Sequence, residues 1–308
     1  MSDAQLKPVG PGVHAWIGAG GDSNAGAIET PLGLIVIDAQ QNRALGEKFR
    51  DALRASFKAP VRTLINTHFH LDHVAGNAAF ADVPIVAHEK TVQALEHELG
   101  PLRAEGVTVT DTLAKIRMFF GGNFEELVPE DERGWFIERV GGATPLTIVP
   151  PSEAFADRME FILPADAVRV DYRGPAHCDG DVVIHLEKAG VIFMGDLFFH
   201  GRFPWFGDCD LNGWIAALDR VLRMDVTTVV PGHGPPASLK ELADFRRLLA
   251  AVRSEAGRAI KAGWSEDAAA RDAVLADYAA MPRYKEWMSF NIRAAYRYLR
   301  GGYHDHTP

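Results

Sequence analysis

Three imidazoles and one carboxylate lie within the six residues from His68 to His73. His68 and His70 are two residues apart, so in an extended segment their side chains leave the chain on the same side. Asp72 and His73 are neighbours and point in a different direction from that pair. One short loop therefore offers two nitrogen ligands to one metal ion, and an oxygen and a nitrogen to another. Imidazole with carboxylate suits zinc and, less selectively, iron, manganese or nickel.

A single loop cannot enclose two ions, so further ligands must come from elsewhere in the chain. His177 lies in a glycine- and proline-rich loop between two predicted strands, and His233 lies on a loop just past another. Asp196 directly follows an apolar strand, where it could cap the next segment or act as a ligand. Because ligand-type residues are placed repeatedly at the ends of strands, we favour the ligand role for Asp196. The seven candidate ligands are His68, His70, Asp72, His73, His177, Asp196 and His233.

Short apolar strands and amphipathic helices must position these loops. A predicted strand over Val61–Asn66 enters the histidine-rich loop, and a predicted helix opens over Val74–Phe80. Early strands at Val13–Ile17 and Ala25–Thr30, followed by a third, indicate an antiparallel meander. The glycines from Gly18 to Gly21 lack the fingerprint spacing of a dinucleotide site, so they predict a hairpin tip.

Composition limits the class of protein and its partners. The 308 residues are 47% hydrophobic and 24% charged, which is ordinary for a soluble globular protein. A net charge of -9 argues against a nucleic-acid partner. Two cysteines, Cys178 and Cys209, cannot form a disulfide framework, which favours a reducing compartment. With neither a signal peptide nor a membrane-spanning run in the sequence, we expect a cytoplasmic protein that acts on a small molecule, without nucleic-acid or membrane partners.

Several segments leave alternatives open. The stretch from residue 100 to 164 is rich in aromatic residues, which favours core packing over a lid on the substrate pocket. Arg202 and the apolar run Phe203–Phe206 could line that pocket or form a packed loop. His88 and His97 have no partners at ligand spacing and receive no metal role. The helical C-terminus, from Ser238 onward, could provide a homodimer surface.

The order of the seven candidate ligands, and the loops that carry them, resemble the ligand pattern of the metallo-β-lactamase superfamily. The resemblance covers roughly Val13 to Pro236. The runs Phe193-Met194-Gly195-Asp196 and Pro231-Gly232-His233-Gly234, with the helical C-terminus, are most similar to the SoxH-like hydrolase branch. The resemblance implies an α/β fold, an αββα sandwich of two mixed sheets packed face to face with helices outside. We expect a catalytic domain over residues 1–236, with an insert at about 100–164 near the pocket. A helical extension over 237–308 would pack on the same domain.

The same resemblance implies how two metals would be shared. Two Zn²⁺ ions are expected, although iron or manganese could also fit the ligands. A hydroxide between the metals would attack an ester, lactone, lactam or phosphoester-type bond, with Asp72 orienting it or protonating the leaving group. The first metal would be held by His68, His70 and His177, the second by Asp72, His73 and His233, and Asp196 would bridge them.

Two departures from better-known branches bear on the substrate. Asp196 stands where β-lactamases with a cysteine ligand have that cysteine. Lactonases of the superfamily carry a tyrosine three positions after the bridging aspartate, and Phe199 stands there in this chain. A β-lactamase proper and an iron-dependent oxidoreductase of the same fold are therefore kept as alternatives. Cys178 follows a candidate ligand directly, but its side chain should point away from the metals.

Overall fold

The computed structural model describes residues 3–99, 106–110, 146–164, 166–207 and 209–301, together with positions 125, 130, 133, 134 and 137. The aromatic side chains between residues 119 and 136, for which the sequence favours core packing over a lid, lie outside the described residues. Within the described part, no helix has the length and apolar character needed to cross a membrane.

The first sheet has seven strands in the order β1-β2-β3-β4-β5-β6-β9. Strands β1 to β4 pair antiparallel, as the predicted meander requires, and β4, β5, β6 and β9 pair parallel. The bounds are β1 Gln5–Gly10, β2 Val13–Ile17, β3 Ala25–Thr30, β4 Gly33–Ile37, β5 Val61–Ile65, β6 Ile85–His88 and β9 Glu153–Phe155.

The second sheet has five strands in the order β10-β11-β12-β13-β14, antiparallel except for the parallel pair β13 and β14. Its strands are β10 Arg158–Ile162, β11 Ala167–Tyr172, β12 Val182–Leu186, β13 Val191–Phe193 and β14 Thr228–Val230. A separate two-stranded ladder joins β7 Val107–Val109 to β8 Leu146–Ile148. Both large sheets are mixed, which agrees with the predicted sandwich.

Helices cover the outer faces of the two sheets. Their bounds are α1 Arg43–Ser56, α2 Leu71–Val74, α3 Glu89–Leu99, α4 Leu211–Val221, α5 Leu239–Lys261, α6 Glu266–Asp272 and α7 Tyr284–Gly301. Phe49 and Leu53 of α1 pack on the first sheet, with Trp16 and Val36. The second sheet is covered by α4, α5 and α7, so the αββα fold is confirmed.

The core between the sheets is made of alternate strand residues. Ile28 and Ile37 of the first sheet share a buried cluster with Val170, Ile184 and Phe193 of the second. Intervening residues on the same strands face the helices, as the two-residue repeat of a strand dictates. Because both faces of the central strands are buried, those strands are continuously apolar.

The loop of Arg202 and Phe203–Phe206 is a packed loop. Phe203 and Phe206 are fully buried in the cluster beneath α4, α5 and α7. Trp205 stacks on Phe290 of α7 with ring centroids 4.5 Å apart. The alternative that this run lines the substrate pocket is therefore excluded for Phe203 and Phe206.

Helix α5 begins with a capping box, which predicts a measurable loss of stability on substitution. The Ser238 hydroxyl accepts a hydrogen bond from the Lys240 N–H, and the Glu241 carboxylate accepts one from the Ser238 N–H at 3.0 Å. We expect Ser238→Ala to lower the free energy of unfolding by about 1 kcal/mol in urea titrations, whereas Ser238→Thr should keep most of it.

The same cap predicts a pH dependence. Hydrogen bonds from Ser238 lower the pKa of Glu241 from 4.5 to about 2. A carboxylate with a lowered folded-state pKa stabilises the fold above its unfolded value and loses that contribution as the pH falls. The stability difference between wild type and Ser238→Ala should therefore shrink between pH 4.5 and pH 2. An undiminished difference at the acid end would contradict the cap.

Candidate metal centre

The seven candidate ligands meet at one edge of the sandwich, because each follows the end of a strand. The histidine-rich loop follows β5, and His177 lies on the loop between β11 and β12. Asp196 and His233 follow β13 and β14, which are parallel neighbours and so end side by side. The strand-exit pattern in the sequence therefore corresponds to one place in the fold.

The ligand atoms form two groups that share one residue. In each group the ligand atoms all lie within 4.8 Å of one another. Asp196 belongs to both groups, and all seven candidates are included. The first group is His68, His70, His177 and Asp196, and the second is Asp72, His73, Asp196 and His233.

The two oxygens of Asp196 face different groups. Its Oδ1 lies 3.1 Å from His73 Nε2 and 3.5 Å from His233 Nε2. Its Oδ2 lies 3.6 Å from His177 Nε2 and 3.9 Å from His68 Nε2. A carboxylate placed in this way can contact two cations at once, one through each oxygen.

Several buried atoms of this cluster lack hydrogen bonds. Among the described residues, His68 Nε2, His73 Nε2 and Asp196 Oδ1 have no hydrogen-bond partner, although they lie close together. Buried polar atoms in proteins are normally hydrogen-bonded, since an unsatisfied one costs free energy. Nitrogen and carboxylate donors converging on the same space are the donor set that zinc, iron or manganese prefers. The residues present therefore fit a pair of metal ions.

Asp38 and Thr67 fix the orientation of two histidine rings. The Thr67 hydroxyl donates to Asp38 Oδ2 at 2.8 Å, so its oxygen is left to accept from His68 Nδ1 at 2.9 Å. Asp38 Oδ2 also accepts from His73 Nδ1 at 2.8 Å. When each ring is neutral, these bonds keep its proton on Nδ1, so the Nε2 lone pair faces the cluster.

Sequence reasoning missed Asp38 as a functional residue. Asp38 directly follows the buried strand β4, which is the same signal that singled out Asp196. It sits at a φ of +54°, in the left-handed region that aspartate tolerates better than most residues. The Thr67 N–H donates to the second oxygen of Asp38 at 2.8 Å, so both carboxylate oxygens are bound to Thr67.

The connection between β2 and β3 was predicted only as a hairpin tip, yet it forms hydrogen bonds with two of the loops that carry candidate ligands. The Ser23 hydroxyl donates to the backbone carbonyl of Asp72. The Asn24 side chain donates to the carbonyls of Pro231 and Gly234, at 2.9 and 2.7 Å. The sequence signal that could have indicated this role is the run of three polar residues, Asp22-Ser23-Asn24, directly before β3, and the structure buries all three.

The segment after the histidine-rich loop is less regular than predicted. Instead of one helix over Val74–Phe80, the short helix α2 is followed by a 3₁₀ segment over Ala75–Phe80. The Gly76 N–H donates to the Gln40 carbonyl at 2.7 Å, so this N–H does not take part in a helical hydrogen bond. A Cβ at Gly76 would lie 1.8 Å from the Ala39 carbonyl oxygen, so the close approach of these backbones requires glycine.

Burial and charge divide the histidines into two kinds. Burial lowers the pKa of His68 well below its ordinary value, and burial together with His70 lowers the pKa of His177 to about 3. These rings are neutral, as a metal ligand must be. Burial opposes the charge on His233, but Asp196 and Asp72 outweigh it and raise the pKa of His233 to about 9.

The carboxylates of the cluster are held as anions. Burial opposes the charge of Asp72, but His73 and His233 outweigh it and lower the pKa of Asp72 to about 2. The pKa of Asp196 is lowered well below its ordinary value, because His233 and His73 again outweigh the effect of burial. The carboxylates of Asp72 and Asp196, together with the five histidine rings of the two groups, form a site with a strong preference for cations.

The remaining histidines and cysteines near the site stay outside both groups. Cys178 is buried, and its thiol donates to Asp181 Oδ1 at 3.3 Å, away from the cluster. His88 ends β6, where it hydrogen-bonds the Ala156 carbonyl and stacks on Tyr172 at 4.0 Å, as expected of a structural residue. His97 is exposed on α3.

Comparison with known proteins gives a consistent family. The family model described as the metallo-beta-lactamase superfamily matches residues 18–233. The linear primary-alkylsulfatase of Pseudomonas sp. is 26% identical over 230 residues, which is 70% of this chain and 42% of that protein. The 2,4-dinitroanisole O-demethylase subunit alpha of Nocardioides sp. is 28% identical over 71% of this chain and 55% of its own length. The chain thus spans about half the length of these relatives.

The fold likeness extends over nearly the whole chain. The solved structure of the stereoselective inverting sec-alkylsulfatase Pisa1 from Pseudomonas sp. aligns with a TM-score of 0.69 at 17% identity. The alignment covers 98% of this chain and 51% of that protein, so it includes the C-terminal helices.

Proposed function

The chain belongs to the metallo-β-lactamase superfamily, and from this premise we propose that it is a binuclear metal-dependent hydrolase. The observation that carries the proposal is Asp196, whose two oxygens each face one of two groups of ligand atoms. A site for one metal has no need of a carboxylate shared in this way. The proposed cofactor is a pair of Zn²⁺ ions, with iron or manganese as the other metals that this donor set accepts.

When bound, a metal pair lowers the pKa of a water molecule to about 7 and offsets the charge that develops on the attacked oxygen. The protein supplies the anionic carboxylates and neutral imidazoles that such a pair needs. Burial opposes the charge on His73 and His233, but Asp196 outweighs it and raises the pKa of both rings, so metal binding should release protons from them. Asp72 is the least buried member of the second group, which suits it to orient a water molecule or pass a proton to a leaving group.

The substrate we propose is a small molecule with an ester, lactone, lactam or phosphoester-type bond. A sulfate ester joins this class, because the name of one relative describes an alkylsulfatase. Placement in the SoxH-like branch, a cytoplasmic location, a homodimer and a domain boundary near residue 236 stay predictions.

The test couples elemental analysis to a substrate panel. Protein purified without chelator should contain zinc and hydrolyse at least one of a linear alkyl sulfate, a p-nitrophenyl ester, a lactone, nitrocefin and a phosphotriester. Activity should disappear on metal removal and return when zinc is added. Iron together with oxygen consumption would instead establish the oxidoreductase alternative, and hydrolysis confined to nitrocefin would indicate a β-lactamase proper.

Asp38→Asn should weaken metal binding while leaving the fold intact. Asparagine has nearly the same shape and tolerates the left-handed backbone at this position. It removes the charge that accepts from His73 Nδ1, and loss of such an outer partner costs roughly 10–100-fold in metal affinity. The measurement is competition for zinc with a chromophoric chelator. Unchanged affinity would show that Asp38 does not orient His73.

A further inference from the structure

We infer that Phe199 and Trp214 are positioning residues, which hold the His177 ring toward the candidate metal centre in place of a hydrogen bond. The inference rests on the proposed metal binding and concerns how one ligand is oriented. It assigns a role to an aromatic pair that lies outside both groups of ligand atoms.

His177 differs from His68 and His73 in what holds its ring. Its Nε2 faces the cluster, 3.6 Å from Asp196 Oδ2 and 3.1 Å from His70 Nδ1. Its Nδ1 is buried and has no hydrogen-bond partner in the part of the chain that is described. A ligand histidine almost always donates its other ring N–H to a carboxylate, a carbonyl or water, which sets the ring orientation. His177 must therefore be oriented by another contact.

Two aromatic rings meet the His177 ring at steep angles. The Trp214 ring lies at a centroid distance of 4.9 Å and an angle of 61°, and the Phe199 ring at 5.6 Å and 68°. Edge-to-face contacts of this kind are a favoured arrangement of aromatic rings. Trp214 is itself fixed, because it is fully buried and its Nε1–H donates to the Leu197 carbonyl at 2.9 Å.

Phe199 also contacts a ligand of the second group. Its ring stacks on the His233 ring at a centroid distance of 5.3 Å and an angle of 5°. The neighbouring His200 N–H donates to the His233 carbonyl at 2.9 Å, which keeps the two segments together. Phe199 is only 3% exposed. One apolar side chain therefore touches one histidine of each metal group, so removal of its ring should affect both metals.

The test is the metal affinity of Phe199→Leu, which keeps an apolar side chain and removes the ring. Each variant is titrated with Co²⁺, and affinity is measured by chelator competition together with the visible absorption of the bound ion. We expect the affinity of Phe199→Leu to fall roughly 10–100-fold, the range seen when an outer support of a ligand is lost. The Co²⁺ spectrum should change shape as well, because the ligand geometry changes. Phe199→Tyr keeps the ring, so this variant should have the Co²⁺ affinity and the Co²⁺ spectrum of the wild type.

The matched control is Phe203→Leu. Phe203 is fully buried in the same cluster and packs on Tyr284 at a centroid distance of 5.1 Å. Among the described residues, its ring is paired with neither histidine and not with Trp214. The control should lose stability without losing Co²⁺ affinity. If Phe199→Leu fails to fold by circular dichroism, Phe199→Met repeats the measurement with a more adaptable side chain.

The outcomes separate the two proposals. Wild-type affinity and spectrum in Phe199→Leu, or an equal loss of affinity in Phe203→Leu, would overturn the positioning role. Wild-type protein that binds no Co²⁺ or Zn²⁺ would overturn the proposed function itself.

Discussion

Asp196→Ala is expected to abolish the paired metal site and with it hydrolysis. Its carboxylate oxygens lie 3.1 Å from His73 Nε2 and 3.6 Å from His177 Nε2, so its removal takes a ligand from both groups. Metals about 3.5–4 Å apart repel each other unless an anion lies between them. Metal content should fall from two ions to one or none, and kcat/KM should fall by at least about 10³-fold, because several kcal/mol of transition-state stabilisation are lost.

Two further variants make this result interpretable. Asp196→Asn keeps the shape of the side chain and removes its charge, so it should also lose the second metal. Asp277→Ala removes an exposed carboxylate far from the cluster in sequence and should leave metal content and activity unchanged. Two metals and full activity in Asp196→Ala would contradict the bridging role.

Gly232→Ala is the second change with a large expected effect, although it removes no ligand. A Cβ at Gly232 would lie 1.9 Å from Asp196 Oδ1 and 2.6 Å from the carbonyl carbon of Gly195. The added methyl group must displace either the carboxylate or a backbone that is hydrogen-bonded to Gly232 at 2.7 Å. Overpacking of this kind costs about 1–3 kcal/mol, and here it falls on the shared ligand. We expect reduced metal content together with a lower free energy of unfolding.

Gly257→Ala is the matched control for this substitution. Gly257 lies within α5, and a Cβ there would meet only Leu299 Cδ1, at 3.8 Å. Alanine in a helix interior is more stable than glycine by roughly 0.5–1 kcal/mol, so this variant should be as stable as wild type or more so. Urea unfolding and elemental analysis of both variants give the comparison. Wild-type metal content in Gly232→Ala would contradict the close approach of Gly232 to Asp196.

The seven candidate ligands were predictable from the sequence because they depend on local patterns, and the sandwich followed from the family resemblance that these ligands carry. An apolar strand is recognisable over five or six residues. A ligand-type residue at the end of a strand is recognisable from its position along the chain alone. His177, Asp196 and His233 were each found as single residues past a strand. The structure brings them together with the histidine-rich loop.

Other features depend on contacts that local patterns do not encode. Strand β1 contains Pro8 and Gly10, which weaken a strand signal but are tolerated because β1 lies at a sheet edge with a bulge. Strand β9 is only three residues long and pairs with β6 across a long stretch of chain. The support of His73 by Asp38, across 35 positions, became visible only once β4 and β5 were neighbours.

The most direct test of the central claim is anomalous diffraction from crystals of the wild-type protein reconstituted with zinc. We predict two peaks about 3.5–4 Å apart, one bonded to each oxygen of Asp196. The first peak should also contact His68, His70 and His177, and the second Asp72, His73 and His233. A single peak, or two peaks that do not share Asp196, would contradict the account.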